Sequence, residues 1–159
     1  MTLREYRQAC ERTKMNLPKD EWQEYLRIGA LGELGELLNL LKKYRWHGHE
    51  FERERVVDEL GDVLWHVVQI VPNDAYLEFY GCGLGGSLHN VEGNAIRQIE
   101  MMMNRLLSKK YESFLMQILE LLIVIFEIDP QEVVAYNIAK LQKRYPDGFD
   151  EQMSIGREE

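Results

Sequence analysis

Proline occurs only four times in this chain, at Pro18, Pro72, Pro130 and Pro146, and always between stretches whose apolar residues recur at helical spacing. Inside a helix a proline removes a hydrogen bond and clashes with the preceding turn, at a cost of roughly 3 kcal/mol. Its confinement to the gaps leaves long intervals free to be helix. Leu31, Leu34, Leu37, Leu38 and Leu41 keep that spacing in one interval, and Val56, Leu60, Val63, Leu64 and Val67 keep it in the next. An all-α helical bundle is the expected fold class.

End signals divide the chain further. Thr2 with Glu5 forms a capping box that opens a first helix, running to about Lys14. A second is expected from about Asp20 to Tyr44, then a loop at Trp46-His-Gly-His-Glu50. A third spans about Glu52 to Val71 and stops at Pro72. Residues 73–94 hold five glycines and read as an irregular connection. Helices are expected over about 95–110 and 112–127. Asp129-Pro130 then caps a last one that ends near Arg144, with proline where its missing N–H costs little. Residues 150–159 form a tail.

With 159 residues, the chain suits one domain with a real core, and its 45% apolar and 29% charged residues are globular values. A net charge of -8 argues against a general nucleic-acid binder, which needs a basic face to displace counterions. Cys10 and Cys82 make neither a metal-ligand spacing nor a disulfide framework. Arg4, Glu5 and Arg7 interrupt any leader-like apolar run, and Phe114 to Ile128 contains Gln117 and Glu120 and is too short for a span. The expectation is a cytoplasmic protein with no membrane partner.

An internal repeat is visible without gaps. Ala30-Leu-Gly-Glu-Leu-Gly-Glu-Leu-Leu-Asn39 lies over Ala95-Ile-Arg-Gln-Ile-Glu-Met-Met-Met-Asn104. In the same order, Glu59 to Val68 lies over Gln117 to Phe126. Any two amphipathic helices align by their apolar rows, so register alone does not prove duplication. If it is real, Gln98, Met101, Gln117 and Glu120 stand where the first copy has Glu33, Glu36, Glu59 and Asp62. One half would bind metal and the other would be scaffold.

Those four acids are the constellation with chemistry in it. Glu33-x-x-Glu36 and Glu59-x-x-Asp62 each project two carboxylates from one helical face. A short loop makes the helices antiparallel neighbours, so the pairs can converge. Hard oxygen ligands suit Mg²⁺ or Mn²⁺ rather than zinc. The alternative is four solvated acids, but their leucine and valine flanks place them near an apolar seam, where charge needs compensation. Gly32, Gly35 and Gly61 flank the acids and each costs roughly 0.5–1 kcal/mol in a helix, which suggests close approach or room for a ligand.

Gly32-Glu-Leu-Gly-Glu36, Lys42-Lys43, the His47-Gly48-His49 loop and Asp58-Glu-Leu-Gly-Asp-Val-Leu-Trp65 resemble the core of the MazG-like, all-α nucleotide pyrophosphohydrolases. Met1-Thr-Leu-Arg-Glu-Tyr6 and Asn137-Ile-Ala-Lys-Leu-Gln-Lys-Arg-Tyr-Pro-Asp-Gly-Phe149 are similar to the ends of single-domain phage and bacterial members. The resemblance covers residues 1–71 and 128–159 and leaves 72–127 as an insertion or degenerate second half of the single domain. It implies Mg²⁺, replaceable by Mn²⁺, on Glu33, Glu36, Glu59 and Asp62, with Glu33 or Glu36 taking a proton from the attacking water. It implies phosphate contacts from Lys140, Arg144 and, at one remove, Lys43, and a place near the nucleotide for Asn137. The implied reaction turns a (deoxy)nucleoside triphosphate, for which a guanine deoxynucleotide is one candidate, into monophosphate and pyrophosphate. The implied assembly is a homodimer or homotetramer. Phosphoribosyl-ATP hydrolysis on the same fold, or an idle helical interaction module, are the competing readings.

Three further signals carry less. Gly81-Cys-Gly-Leu-Gly-Gly86 satisfies GxGxxG but has no strand before it and no helix starting on it. His47 and His49 have no third soft ligand, and read as a polar loop. Trp46 and Trp65 can stack a base but more often pack.

Overall fold

The computed structural model describes residues 1–71 and 91–150, with the side chains of 91–94 left aside. These residues form six α-helices and no strand: α1 Leu3–Cys10, α2 Lys19–His47, α3 Arg53–Ile70, α4 Val91–Leu107, α5 Tyr111–Glu120 and α6 Pro130–Arg144. The Gly81–Gly86 motif, most of the expected irregular connection and the tail lie outside the described residues. No helix among the described residues is long and apolar enough to cross a membrane.

The end signals act as the chemistry dictates. Thr2 Oγ1 accepts from Glu5 N–H at 3.2 Å while Glu5 accepts from Thr2 N–H at 2.7 Å. Asp129 caps α6 through Gln131 N–H at 2.9 Å, with Pro130 in the first turn. Four boundaries differ from expectation. α1 tightens into a 3-10 turn over Glu11–Thr13. α2 continues through Trp46 and His47, where a loop was expected, and stops at Gly48 in the left-handed conformation at φ 71°. α4 begins at Val91, inside the stretch expected to be irregular. Finally, α5 widens into a π-helical turn over Leu121–Ile125, so its last carbonyls are not shared at the usual spacing.

α2 and α3 form one antiparallel hairpin and α4 and α5 another, with α2 against α4 and α3 against α5. α6 and α1 lie on α3. Leu26, Ala30, Leu34, Leu37, Leu60, Leu64, Ile99, Met102, Phe114 and Ile118 fill the shared interior. Burial agrees at every position of α2 and α4 under the repeat alignment, and at the core positions of α3 and α5, but not at Asp62 and Glu120 or over Trp65–Val67 and Ile123–Ile125. Ala30 and Ala95, Leu34 and Ile99, Leu37 and Met102, Leu60 and Ile118, and Val63 and Leu121 are all fully buried. The N-terminal segment is tied in from both sides: Arg7 donates to the carbonyls of Val68 and Val71 at the end of α3, and the Met1 ammonium donates to Gln131.

Candidate metal centre

The hairpin brings three of the four expected acids together. Oxygens of Glu33, Glu36 and Glu59 lie within 4.8 Å of one another, an arrangement that could hold a metal ion. Glu59 is 9% exposed, Glu33 is half-buried and Glu36 is exposed, so the cluster runs from the helix interface to the surface. Burial, then repulsion from Asp62 and Glu36, pushes the Glu33 carboxyl up to about 7. Burial, then repulsion from Glu36 and Asp58, does the same for Glu59. The cluster is therefore short of positive charge.

The fourth acid is engaged elsewhere. Asp62 receives Lys140 Nζ at 2.6 Å and Asn137 Nδ2 at 2.8 Å. Lys140, its side chain 10% exposed, also bonds Asp58. Asp58 was not among the expected site residues, although its spacing of four from Asp62 puts both on one face of α3. Asn137 is fully buried between Tyr6, whose hydroxyl donates to its Oδ1 at 2.6 Å, and Asp62. It holds Asp62 from behind instead of facing an open cleft. Lys140 likewise faces the acids, where the resemblance implied a phosphate contact.

Arg144 and Lys43 part company. Arg144 lines a cleft of about 120 Å³ together with Glu33, Asp62, Tyr25, Trp65 and His66. Lys43 lies seven residues beyond Glu36 on α2, about 10 Å along the axis. It borders a separate crevice with His49, Phe51 and Val56. The glycines divide too. A Cβ at Gly32 or Gly35 would meet nothing within 4 Å, so these give room, whereas one at Gly61 would stand 3.1 Å from Asn137 Cβ.

Of the aromatic candidates, Trp46 is 63% exposed under Arg45, and Trp65 is packed, donating to Thr13 Oγ1 at 3.0 Å. His66 is buried in contact with Trp65. In the second hairpin, the counterparts of Glu33 and Glu59 face each other as a neutral pair: Gln117 Nε2 donates to Gln98 Oε1 at 2.8 Å.

Comparison with protein-family models, with curated proteins and with solved structures yields no match. The reading of the site rests on its own chemistry and on the motifs.

Proposed function

We propose that this protein is a Mg²⁺-dependent pyrophosphohydrolase that converts a nucleoside or deoxynucleoside triphosphate to the monophosphate and pyrophosphate. The observation that carries the reading is the gathering of Glu33, Glu36 and Glu59 within 4.8 Å, with Glu33 and Asp62 also lining a cleft that Arg144 enters. The donors fit a hard divalent cation: all are carboxylate oxygens, and two are pushed up to about 7 by burial and then by neighbouring negative charge. Held there, Mg²⁺ would supply the charge that lets an acidic site accept a triphosphate and would acidify a water.

The chain's own groups do the rest. Glu33, Glu36 and Glu59 would hold the cation, and a carboxylate oxygen of Glu33 or Glu36 left free would take a proton from the water. Arg144 offers its guanidinium to phosphate oxygens. Lys140 keeps Asp58 and Asp62 neutralised and in place. The test is pyrophosphate release across a panel of NTPs and dNTPs, with Mg²⁺, with Mn²⁺ and with EDTA. Metal-dependent release that disappears in Glu36→Gln supports the reading. No release from any nucleotide, or undiminished release in EDTA, removes it.

Within this reading the second hairpin is a duplicate that has lost its acids. Matched burial along α2 and α4 and the Gln98–Gln117 bond in place of a carboxylate pair support this. The amide pair carries no net charge, so the second half needs no cation, although Gln117 Oε1 has no hydrogen-bond partner among the described residues. Two hairpins of one chain then make the four-helix packing that a pair of single hairpins from two chains would otherwise provide.

A further inference from the structure

Asp62 is the acid of the cleft whose direction is set from behind. Its Oδ1 accepts from both Asn137 Nδ2, at 2.8 Å, and Lys140 Nζ, at 2.6 Å. Among the described residues its Oδ2 accepts from Lys140 alone, at 2.7 Å. A carboxylate oxygen has two lone pairs, so Oδ1 is filled and Oδ2 keeps one. Which oxygen stays open therefore depends on the Asn137 amide.

The two ends of an asparagine amide have nearly the same shape, and only their partners tell oxygen from nitrogen. Turned over, Asn137 would set Oδ1 against the carboxylate, acceptor against acceptor. Its orientation is held on the far side by Tyr6, whose hydroxyl donates to Oδ1 at 2.6 Å. The hydroxyl has one proton, and the Gly61 carbonyl at 3.3 Å is the weaker claimant. Burial, then the neighbouring Cys10 and Asp62, push this hydroxyl well above its ordinary range, so it keeps its proton. Tyr6 and Asn137 are both fully buried, and neither can trade the bond for solvent. Packing alone would be served by phenylalanine, which has no hydroxyl to satisfy. The helix that carries Tyr6 is itself tied down, to α3 through Arg7 and to α6 through the Met1 ammonium.

We propose that Tyr6 is a positioning residue of the metal centre: through Asn137 it fixes the rotation of the Asp62 carboxylate and keeps it preorganised as the fourth acid beside Glu33, Glu36 and Glu59. Asp62 is close enough to act there, since its charge repels Glu33 more than that of Glu36 does. That a divalent cation binds at these acids rests on the proposed function. The hydrogen-bonded chain from α1 through α6 to α3 does not.

The experiment reads cation affinity without turnover. Mn²⁺, taken in place of Mg²⁺, is titrated by calorimetry into the nucleotide-free protein. Tyr6→Phe should weaken Mn²⁺ binding about three- to tenfold, and Asn137→Leu at least as much. Added to Asn137→Leu, Tyr6→Phe should cost no more than about twofold further, because no amide is left to orient. Leu3→Val is the structural control: Leu3 is fully buried on the same helix, so the variant loosens α1 and leaves the hydroxyl in place. It should lower Tm while Mn²⁺ affinity stays within about twofold. If Asn137→Leu fails to fold by circular dichroism, Tyr6→Phe against Leu3→Val decides. Unaltered Mn²⁺ affinity in Tyr6→Phe overturns the proposal, as does an equal loss in Leu3→Val or an additive loss in the double variant. A wild type that binds no Mn²⁺ removes the positioning role and the proposed reaction together. A wild type that binds Mn²⁺, loses it in Tyr6→Phe and releases no pyrophosphate leaves the positioning role standing and removes the reaction.

Discussion

Lys140 Nζ sits between Asp58 and Asp62, and it is the one cation bonded directly to the described acids of the site. Replacing it with methionine leaves two partly buried carboxylates without a cation, Asp62 keeping only Asn137. We expect a loss of about 2–3 kcal/mol in urea unfolding in EDTA, partly recovered by Mg²⁺. An unchanged midpoint in EDTA would show that the ion pairs contribute nothing. The pH dependence has a definite sign. Glu33 and Glu59 hold protons to about 7 when folded, against 4.5 ordinarily, so stability falls as pH rises through that interval. His66, buried and depressed to about 4 from 6.5, opposes this, its contribution rising with pH between those values. The increment in Tm on adding Mg²⁺ cancels His66 and should grow between about pH 6 and about pH 8 as the acids become free to bind metal. A flat increment would remove the two glutamates from the metal site. At this scale the convergence of Glu33, Glu36 and Glu59 was legible, because carboxylates three apart share a helical face and the two helices form a hairpin. The role of Asp58 was not legible. It adjoins Glu59 in sequence, and only its cross-helix partner on α6 reveals which way it points. Gly29 was missed for the same reason: a Cβ there would stand 2.1 Å from the His66 ring on another helix.

Each helix records which of its faces meets something. Gly61 opposes Asn137 so closely that in Gly61→Ala the asparagine must give by a few tenths of an ångström. Because Tyr6 and Asp62 hold both ends of its amide, we expect a cost of about 1–3 kcal/mol. Gly35→Ala meets open space and should instead stabilise by about 0.5–1 kcal/mol through helix propensity. Thermal melts of the two variants should therefore move in opposite directions. A shared sign would mean that the glycines are not distinguished by their surroundings. If the open space at Gly35 serves a ligand, that variant will be more stable and slower. Helix existence was legible from apolar spacing and proline placement, whereas the ends were less so. Beyond Tyr44, α2 has no further buried residue, so periodicity falls silent while hydrogen bonding carries on to the left-handed Gly48. The π-helical turn after α5 lies in an unbroken apolar run, Leu121 to Ile125, which has no feature to distinguish five-residue from four-residue bonding.

Seen whole, the described residues set a hairpin with carboxylates at its interface against one with an amide pair there. Converting Gln98 and Gln117 together to glutamate should recreate in the second hairpin the crowding found in the first. The expected result is a lower Tm in EDTA and a larger Mg²⁺-dependent recovery than in the wild type. A double variant as stable as the wild type in EDTA would argue against equivalent geometry. Glu120→Gln, in contrast, alters an exposed acid and should leave turnover within about threefold, about 0.6 kcal/mol in the barrier. The hairpin pairing was legible in the repeat. The placement of α1 across α3 and α6 was not, since Tyr6 reaches Asn137 across 131 positions and no local pattern encodes such a contact. That long reach has a kinetic consequence. The acids of α2 and α3 meet through a short connection, whereas Lys140 must return across 82 positions to Asp58. Local hairpins form before distant closures. Each refolding molecule should thus pass through a stage in which the acids are assembled and their counter-cation has not arrived. Magnesium in the refolding buffer should shorten that stage, and a refolding rate unchanged by Mg²⁺ would show that the unpaired acids do not slow it.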